Sequence, residues 1–264
     1  MDTEQNSNRR FGGIERLYGT PAWHKLQQAH VTVVGVGGVG SWVVEALARS
    51  GVGHITLIDL DNVAESNVNR QLPAVTPLFG MPKVDALKQR VFDINPACNI
   101  TTIEDFVDED NIATLFAERV DFVVDAIDQV RVKAAMAAWF VRHKQPFVVS
   151  GAAGGQRHPE HIRVADLSQV KNDKLLSNLR YTLRKRHGFS RDTDKKMKVA
   201  CVYSLETVMP PQNGDVCDVS GLQGLSCAGY GASMLGTATV GLHCAHAVIE
   251  QTVNALHDLS SCIL

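Results

Sequence analysis

The residues best placed to do chemistry lie early in the chain. Residues 31–41 run from an apolar stretch into Gly35, Gly37, Gly38 and Gly40, with Gly35, Gly37 and Gly40 in G-x-G-x-x-G spacing. A strand that turns through such glycines lets the backbone approach a phosphate and aims the bare N–H groups of the next helix at it. Asp59 closes a second apolar run, residues 55–58, at the distance where the fingerprint expects an acid for a ribose hydroxyl. Glycine turns of this kind also serve NAD, FAD and S-adenosylmethionine, or close packing alone, so the neighbouring residues must decide.

Those neighbours favour ATP. Residues 59–71 form a polar stretch holding Asp61, Asn67, Arg70 and Gln71, all candidate nucleotide contacts, and Lys83 follows. Arg70 and Lys83 supply two cations for the outer phosphates, the glycine turn suits the α-phosphate, and Asp128 after a later apolar run suits Mg2+. A dehydrogenase needs neither the cation pair nor a metal acid. The set permits a carboxylate to attack the α-phosphate, with pyrophosphate leaving along the Arg and Lys side. Each residue also has a bland role: Asp59 ending a strand, Arg70 pairing with Asp61, Lys83 a solvated helix start, Asp128 an N-cap. Their joint position at strand ends beside one glycine turn favours the nucleotide reading.

The elements that must position these residues alternate. Apolar strands at 31–34, 55–59, 100–103, 122–128 and 146–150 are separated by helical patterns at 42–49, 83–94, 111–119 and 131–142. This predicts an α/β fold, a Rossmann-like doubly wound and mostly parallel sheet with a C-terminal extension. Residues 162–165 would extend the sheet. The expected organisation is an N-terminal arm and helix at 1–30, an adenylation domain at 31–165, and a basic insert with C-terminal elements at 166–264 packed on the same domain. Residues 1–8 are expected to fray; residues 9–19 mix Arg9, Arg10 and Arg16 with apolar anchors, an arm for a neighbour or a solvated turn. Residues 21–29 suit a short helix. Residues 227–249 carry no formal charge and read as a buried core helix, with membrane insertion or peripheral attachment the competing reading.

With 264 residues, 45% hydrophobic, the chain can bury a large core, and its net charge of −2 gives no global attraction to nucleic acid. The distribution is uneven. Residues 171–198 hold ten Lys or Arg against three Asp, a local +7, so the remainder carries −9. That segment reads as part amphipathic helix and, from residue 188, mobile loop. Arg184, Lys185 and Arg186 are its candidate RNA contacts, with Tyr181 or Phe189 to stack on a base; Arg157 and His158 beside Gly154 are the fallback. Six cysteines without C-x-x-C pairs, and a polar N-terminus, point to a reducing cytoplasm and against structural zinc.

The ordered set Gly35 to Gly40, Asp59 with Asp61, Ser66 through Gln71, Lys83, Asn95 with Pro96, and Asp125 with Asp128 resembles the MoeB/ThiF/HesA superfamily of ubiquitin-activating-enzyme-like adenylating enzymes. The resemblance implies that Asp59 binds ribose, that Asn67, Arg70 and Lys83 contact the triphosphate, that Asp128 serves Mg2+, and that the protein is a homodimer. Within that superfamily, the N-terminal arm, Gly154 with Gly155 and Gln156, and residues 217–241 resemble the tRNA threonylcarbamoyladenosine dehydratase branch. Its expected reaction is ATP-dependent dehydration, by adenylation of the carboxylate, of the threonylcarbamoyl group beside the anticodon of a tRNA. The alternative is adenylation of the C-terminal glycine of a ubiquitin-like sulfur carrier; an NAD-binding regulator is a third class. A sulfur-transfer protein is a further candidate partner. Where relatives place an arginine that reaches the partner subunit's ATP, this chain has Gly13, leaving Arg10 and Arg16 as candidates. Cys227 is the one cysteine to weigh as a thioester former against simple packing.

Overall fold

The computed structural model describes residues 3–208 and 230–254, which build one seven-stranded sheet in the order β3-β2-β1-β4-β5-β7-β6. The strands are β1 (His30–Val34), β2 (His54–Ile58), β3 (Asn99–Ile103), β4 (Phe122–Asp125), β5 (Phe147–Ser150), β6 (Ile162–Asp166) and β7 (Ala200–Ser204). All neighbours pair in parallel except β6 with β7. The helices are α1 (Thr3–Tyr18), α2 (Thr20–Gln28), α3 (Gly40–Arg49), α4 (Lys83–Ile94), α5 (Ile112–Leu115), α6 (Val130–His143), α7 (Lys174–Arg186) and α8 (Met234–Asn254).

Period-two alternation along the strands feeds two cores, one on each face of the sheet. Val31, Val33, Ile55 and Leu57 face one side, against Val43 and Leu47 of α3, Leu87 of α4 and Val240 and Val248 of α8. Val34, Ile58, Val123 and Val149 face the other, against Met136 and Phe140 of α6 and Leu176, Leu179 and Leu183 of α7. The chain leaves β1 toward β2 and β3, then returns to lay β4 on the other side of β1. The order reverses there, so the carboxyl ends of β1 and β4 open a crevice.

The structure departs from the sequence-based expectation in several elements. β7 has no counterpart among the predicted strands; it lies between β5 and β6, so β6 extends the sheet as expected but as an antiparallel edge paired with β7. Its signal, Val202 and Tyr203 inside residues 200–204, is short and follows a polar loop. Helix α5 is a single turn, shorter than the pattern at 111–119 predicts. At the N-terminus, α1 begins at Thr3, so most of the stretch expected to fray is helical. Phe11 is buried with its ring centroid 5.5 Å from that of Trp23. Arg10, though exposed, donates to the carbonyl oxygens of Asp93 and Ile94, both at 2.8 Å, satisfying the C-terminal end of α4.

Helix α8 resolves the uncharged stretch, as far as the described residues reach. Among them no helix is long and apolar enough to cross a membrane. Instead α8 packs along α3 through Gly241, where a Cβ would lie 2.6 Å from the Val39 carbonyl oxygen and 2.9 Å from the Trp42 Cβ. Only glycine permits that approach without a shift of its neighbours. Cys217, Cys227 and Cys262 lie outside the described residues.

Candidate functional site

The crevice at the carboxyl ends of β1 and β4 starts with the turn after β1. Gly35 has a φ of +80°, and a Cβ there would meet Ile127 Cγ2 at 2.9 Å and the Ala126 carbonyl oxygen at 3.1 Å. A Cβ on Gly40 would lie 1.9 Å from the Gly35 carbonyl oxygen, so the first and last glycines are fixed by the protein's own backbone. Gly37 differs: the nearest atom to its added Cβ is Gln71 Nε2, at 3.6 Å. The protein leaves space at the glycine that a phosphate approaches in this fingerprint. Val39 caps α3 without a side-chain oxygen; the Ser41 N–H donates to the Gly37 carbonyl oxygen and the Trp42 N–H to that of Val39, which leaves the Gly40 N–H as the first-turn donor without a partner among the described residues.

Asp59 stands just beyond β2 and does more than end a strand. Its Oδ2 accepts the Val36 N–H at 2.7 Å and its Oδ1 the Asp61 N–H at 2.9 Å, tying the glycine turn to the next loop. A carboxylate has further lone pairs, and these suit ribose hydroxyls. Lys83, the first residue of α4, is 5% exposed, not a solvated helix start. Its Nζ sits 2.7 Å from Asp61 Oδ2 and 3.9 Å from Asp59 Oδ1. Two acids thus present one buried ammonium at the mouth of the crevice.

The loop between them is held from both sides. Asn67 is buried, and its Oδ1 accepts the Ala64 N–H. The Arg70 guanidinium donates to the Ser66 carbonyl oxygen and to Asn69 Oδ1, and does not pair with Asp61. The Arg70 carbonyl oxygen accepts from Trp42 Nε1 at 3.0 Å and Thr237 Oγ1 at 3.3 Å. Asn69 is clasped to α8 as well, its Nδ2 donating to the Ala232 carbonyl oxygen while the Met234 N–H donates to its own. A Cβ on Gly38 would fall 3.3 Å from Thr237 and 3.5 Å from Arg70. Gln71 is 8% exposed, with its Oε1 buried and without a partner among the described residues. Trp42, Thr237 and the start of α8 are parts of the site that sequence reasoning missed. No local pattern links residue 237 to residue 70.

β4 ends at Asp125, three residues before the strand end expected at Asp128. Asp128 lies in the turn that follows, on the far side of the crevice. It is half-buried, and the N-cap of α6 is Gln129, which makes no side-chain capping bond, so Asp128 does not serve as the cap. Beneath it lies a pair that the sequence does not announce: Lys133 of α6 is fully buried, with Nζ 2.8 Å from Asp125 Oδ1. Burial pushes the Asp125 carboxyl up, and the Lys133 ammonium pulls it back. Among the described residues no cluster of three or more His, Cys, Asp or Glu could hold a metal alone. Magnesium is commonly held by one or two carboxylates together with substrate phosphates, and Asp128 beside a triphosphate fits that pattern.

Arg184, Lys185 and Arg186 are not part of this crevice. They form the last turn of α7, about 18 Å along the helix from the Asp173 N-cap. Of the described cysteines, Cys201 and Cys244 are buried; burial pushes the Cys98 and Cys244 thiols to about 12 and the Cys201 thiol well up, which makes all three poor nucleophiles.

Residues 12–260 match the ThiF family. The chain belongs to the ThiF family. It is 42% identical, over 93% of its length and 94% of the relative's, to a tRNA threonylcarbamoyladenosine dehydratase of Haemophilus influenzae. It is 44% identical, over 88% of its length and 89% of the relative's, to the enzyme of that name from Escherichia coli. The crystal structure of the Escherichia coli tRNA N6-threonylcarbamoyladenosine dehydratase in complex with ATP superposes with a TM-score of 0.86 at 40% identity, covering 95% of this chain and 97% of that one. The mostly parallel doubly wound sheet described above is the fold of this ThiF-family member.

Proposed function

We propose that this protein is an ATP-dependent adenylating enzyme that dehydrates the threonylcarbamoyl group of N6-threonylcarbamoyladenosine next to the tRNA anticodon. One observation carries the reading: the likeness to dehydratases of that name runs nearly end to end in both chains, C-terminal elements included. A carboxylate oxygen of the substrate attacks the α-phosphorus of ATP, and the bond to pyrophosphate breaks. The urea then attacks the acyl carbon and loses a proton, and AMP departs with the former carboxylate oxygen, so one water is lost overall. Gly35, Gly37, Gly38 and Gly40 cradle the α-phosphate, Asp59 accepts from the ribose, and Asn67, Arg70, Gln71 and Lys83 hold the outer phosphates, with Asp61 presenting Lys83. Magnesium, when bound at Asp128, would neutralise phosphate charge.

The protein acts as a cytoplasmic homodimer in this reading. Because Arg10 is engaged with α4, exposed Arg16 is the arm's remaining candidate to reach the partner subunit's nucleotide. Arg184, Lys185 and Arg186 take the tRNA backbone. The test is pyrophosphate release from ATP with three partners in turn: tRNA carrying threonylcarbamoyladenosine, the same tRNA without the modification, and a ubiquitin-like carrier ending in glycine. Release with the first alone is expected. Release with the carrier and not with the modified tRNA would overturn the proposal in favour of carrier activation.

A further inference from the structure

The buried pair of Lys133 and Asp125 takes no direct part in the chemistry above. It is also a costly way to fill a core. Lys133 is 0% exposed and Asp125 is 1% exposed, so both charges are stripped of water. Buried ion pairs are often matched or bettered in stability by apolar residues of similar volume, so the fold alone gives little reason for this one. The pair is incomplete besides: Asp125 Oδ2 is buried with no hydrogen-bond partner among the described residues.

What the pair does fix is a turn. Lys133 Nζ donates to Asp125 Oδ1 at 2.8 Å and to the Asp125 carbonyl oxygen at 3.3 Å, while Oδ1 also accepts the Ile127 N–H at 3.2 Å. The Lys133 N–H in turn donates to the Gln129 carbonyl oxygen at 2.9 Å. Residues 125–129 are therefore held at both ends by one side chain and its own backbone. The same turn is the floor of the glycine cradle. The Ala126 N–H donates to the Val34 carbonyl oxygen at 2.8 Å, and the Ala126 carbonyl and Ile127 lie against Gly35 so closely that a Cβ there would clash. Asp128 is the next residue along. Burial pushes the carboxyl of Asp173 up, and the Leu176 and Ala152 N–H groups it accepts, with the Lys133 charge behind them, pull it back. The Lys133 ammonium thus anchors the end of β4 directly.

We infer that Lys133 is a positioning residue of the nucleotide site: through Asp125 it sets the turn that places the Asp128 carboxylate toward the metal-bearing phosphates. This rests on the reading of Asp128 as the magnesium residue. The binding geometry at such sites must be held to about 0.5 Å, and removing the groups that orient a ligating side chain commonly costs about 10- to 100-fold in metal affinity.

The test compares ATP affinity by calorimetry with MgCl2 and with EDTA, and takes the ratio. The variant is the neutral pair Lys133→Met with Asp125→Asn, which removes both charges of the pair together. It is expected to keep its circular dichroism and its metal-free ATP affinity, while the enhancement by Mg2+ falls by about 10-fold. A merely structural role would lower the melting temperature and leave that ratio alone, so a folded variant with the parent's ratio overturns the inference. Should the double variant fail to fold, Asp125→Asn alone keeps an oxygen acceptor for Lys133 and is expected to lower the ratio less; an unchanged ratio there also overturns it. Asp128→Asn separates the two readings. If it abolishes the enhancement while the pair variants keep it, the role of Lys133 alone falls; if it leaves the enhancement intact, the metal reading falls and this inference with it.

Discussion

At the scale of single residues, Lys83 and Arg70 carry the phosphate assignment, and their settings differ. Lys83 is buried between Asp61 and Asp59, so Lys83→Ala removes a cation from a triphosphate and from two acids together. Arg70→Ala removes the guanidinium only, because its backbone stays pinned by Trp42 and Thr237. A charge-assisted contact contributes about 1.5–3 kcal/mol, so ATP–pyrophosphate exchange at subsaturating ATP should fall about 10- to 100-fold in each variant. The Lys83 variant should suffer more. Exchange at the parent rate in both variants would remove these residues from the site.

At the scale of elements, two contacts between neighbours make separate predictions. Helix α8 touches α3 at Gly241 and holds the Asn69 and Arg70 loop at its first turn. Gly241→Ala inserts a methyl where 2.6 Å separates it from a carbonyl oxygen, an overpacking that costs about 1–3 kcal/mol. Thermal unfolding should come several degrees lower, and ATP affinity should weaken because the loop loses its clasp; an unchanged melting temperature would mean that α8 yields freely. The second contact is between β1 and β2, where His30 and His54 face each other in register with rings stacked 3.6 Å apart. Burial lowers the pKa of both, and for His30 the neighbouring His54 lowers it further. The unfolded chain therefore takes up protons first, so stability is full above about 6.5 and is lost as pH falls through that value. The melting temperature should hold from pH 8 to 7 and decline toward pH 5, and His54→Gln should flatten that decline. An equally steep decline in the variant would assign it to other groups.

At the scale of the molecule, charge is segregated by element. Leu175, Leu176, Leu179 and Leu183 bury one face of α7, and Arg180 is engaged with the Leu167 and Val170 carbonyl oxygens. The last turn is left outward, with Lys185 and Arg186 exposed, Arg184 partly so, and Lys185 Nζ 5.4 Å from the ring centroid of exposed Tyr181. Replacing Arg184, Lys185 and Arg186 together with Ala should weaken tRNA binding and lower the slope of log affinity against log salt by about 0.7–0.9 for each phosphate no longer neutralised. ATP binding should persist. An unchanged salt slope would move the RNA-binding surface elsewhere, with Arg157 and His158 the next to replace. The proposed homodimer belongs to this scale too: light scattering should report twice the chain mass of 28.7 kDa. A fully active monomer at micromolar concentration would rule it out.

Much of this was legible from the chain alone because it is local. Strand alternation, the glycine spacing, Asp59 at the end of a strand and the apolar face of α7 are each written within a few residues, where backbone sterics and burial leave little choice. The order of motifs then placed the chain among adenylating enzymes before any fold was in view. The tertiary structure decided what depends on contacts distant in sequence. β7 enters between β5 and β6 because the sheet, not its own five residues, gives it partners on both sides. Thr237 reaches Arg70 across 167 residues, and Arg10 binds the end of α4 across more than 80. Lys133 reads in sequence as one more cation on a helix; only its complete burial against Asp125 shows a charge held where a side chain of hydrocarbon would have packed. Periodicity records which face of an element is buried, and it carries no information about which distant group that face will meet.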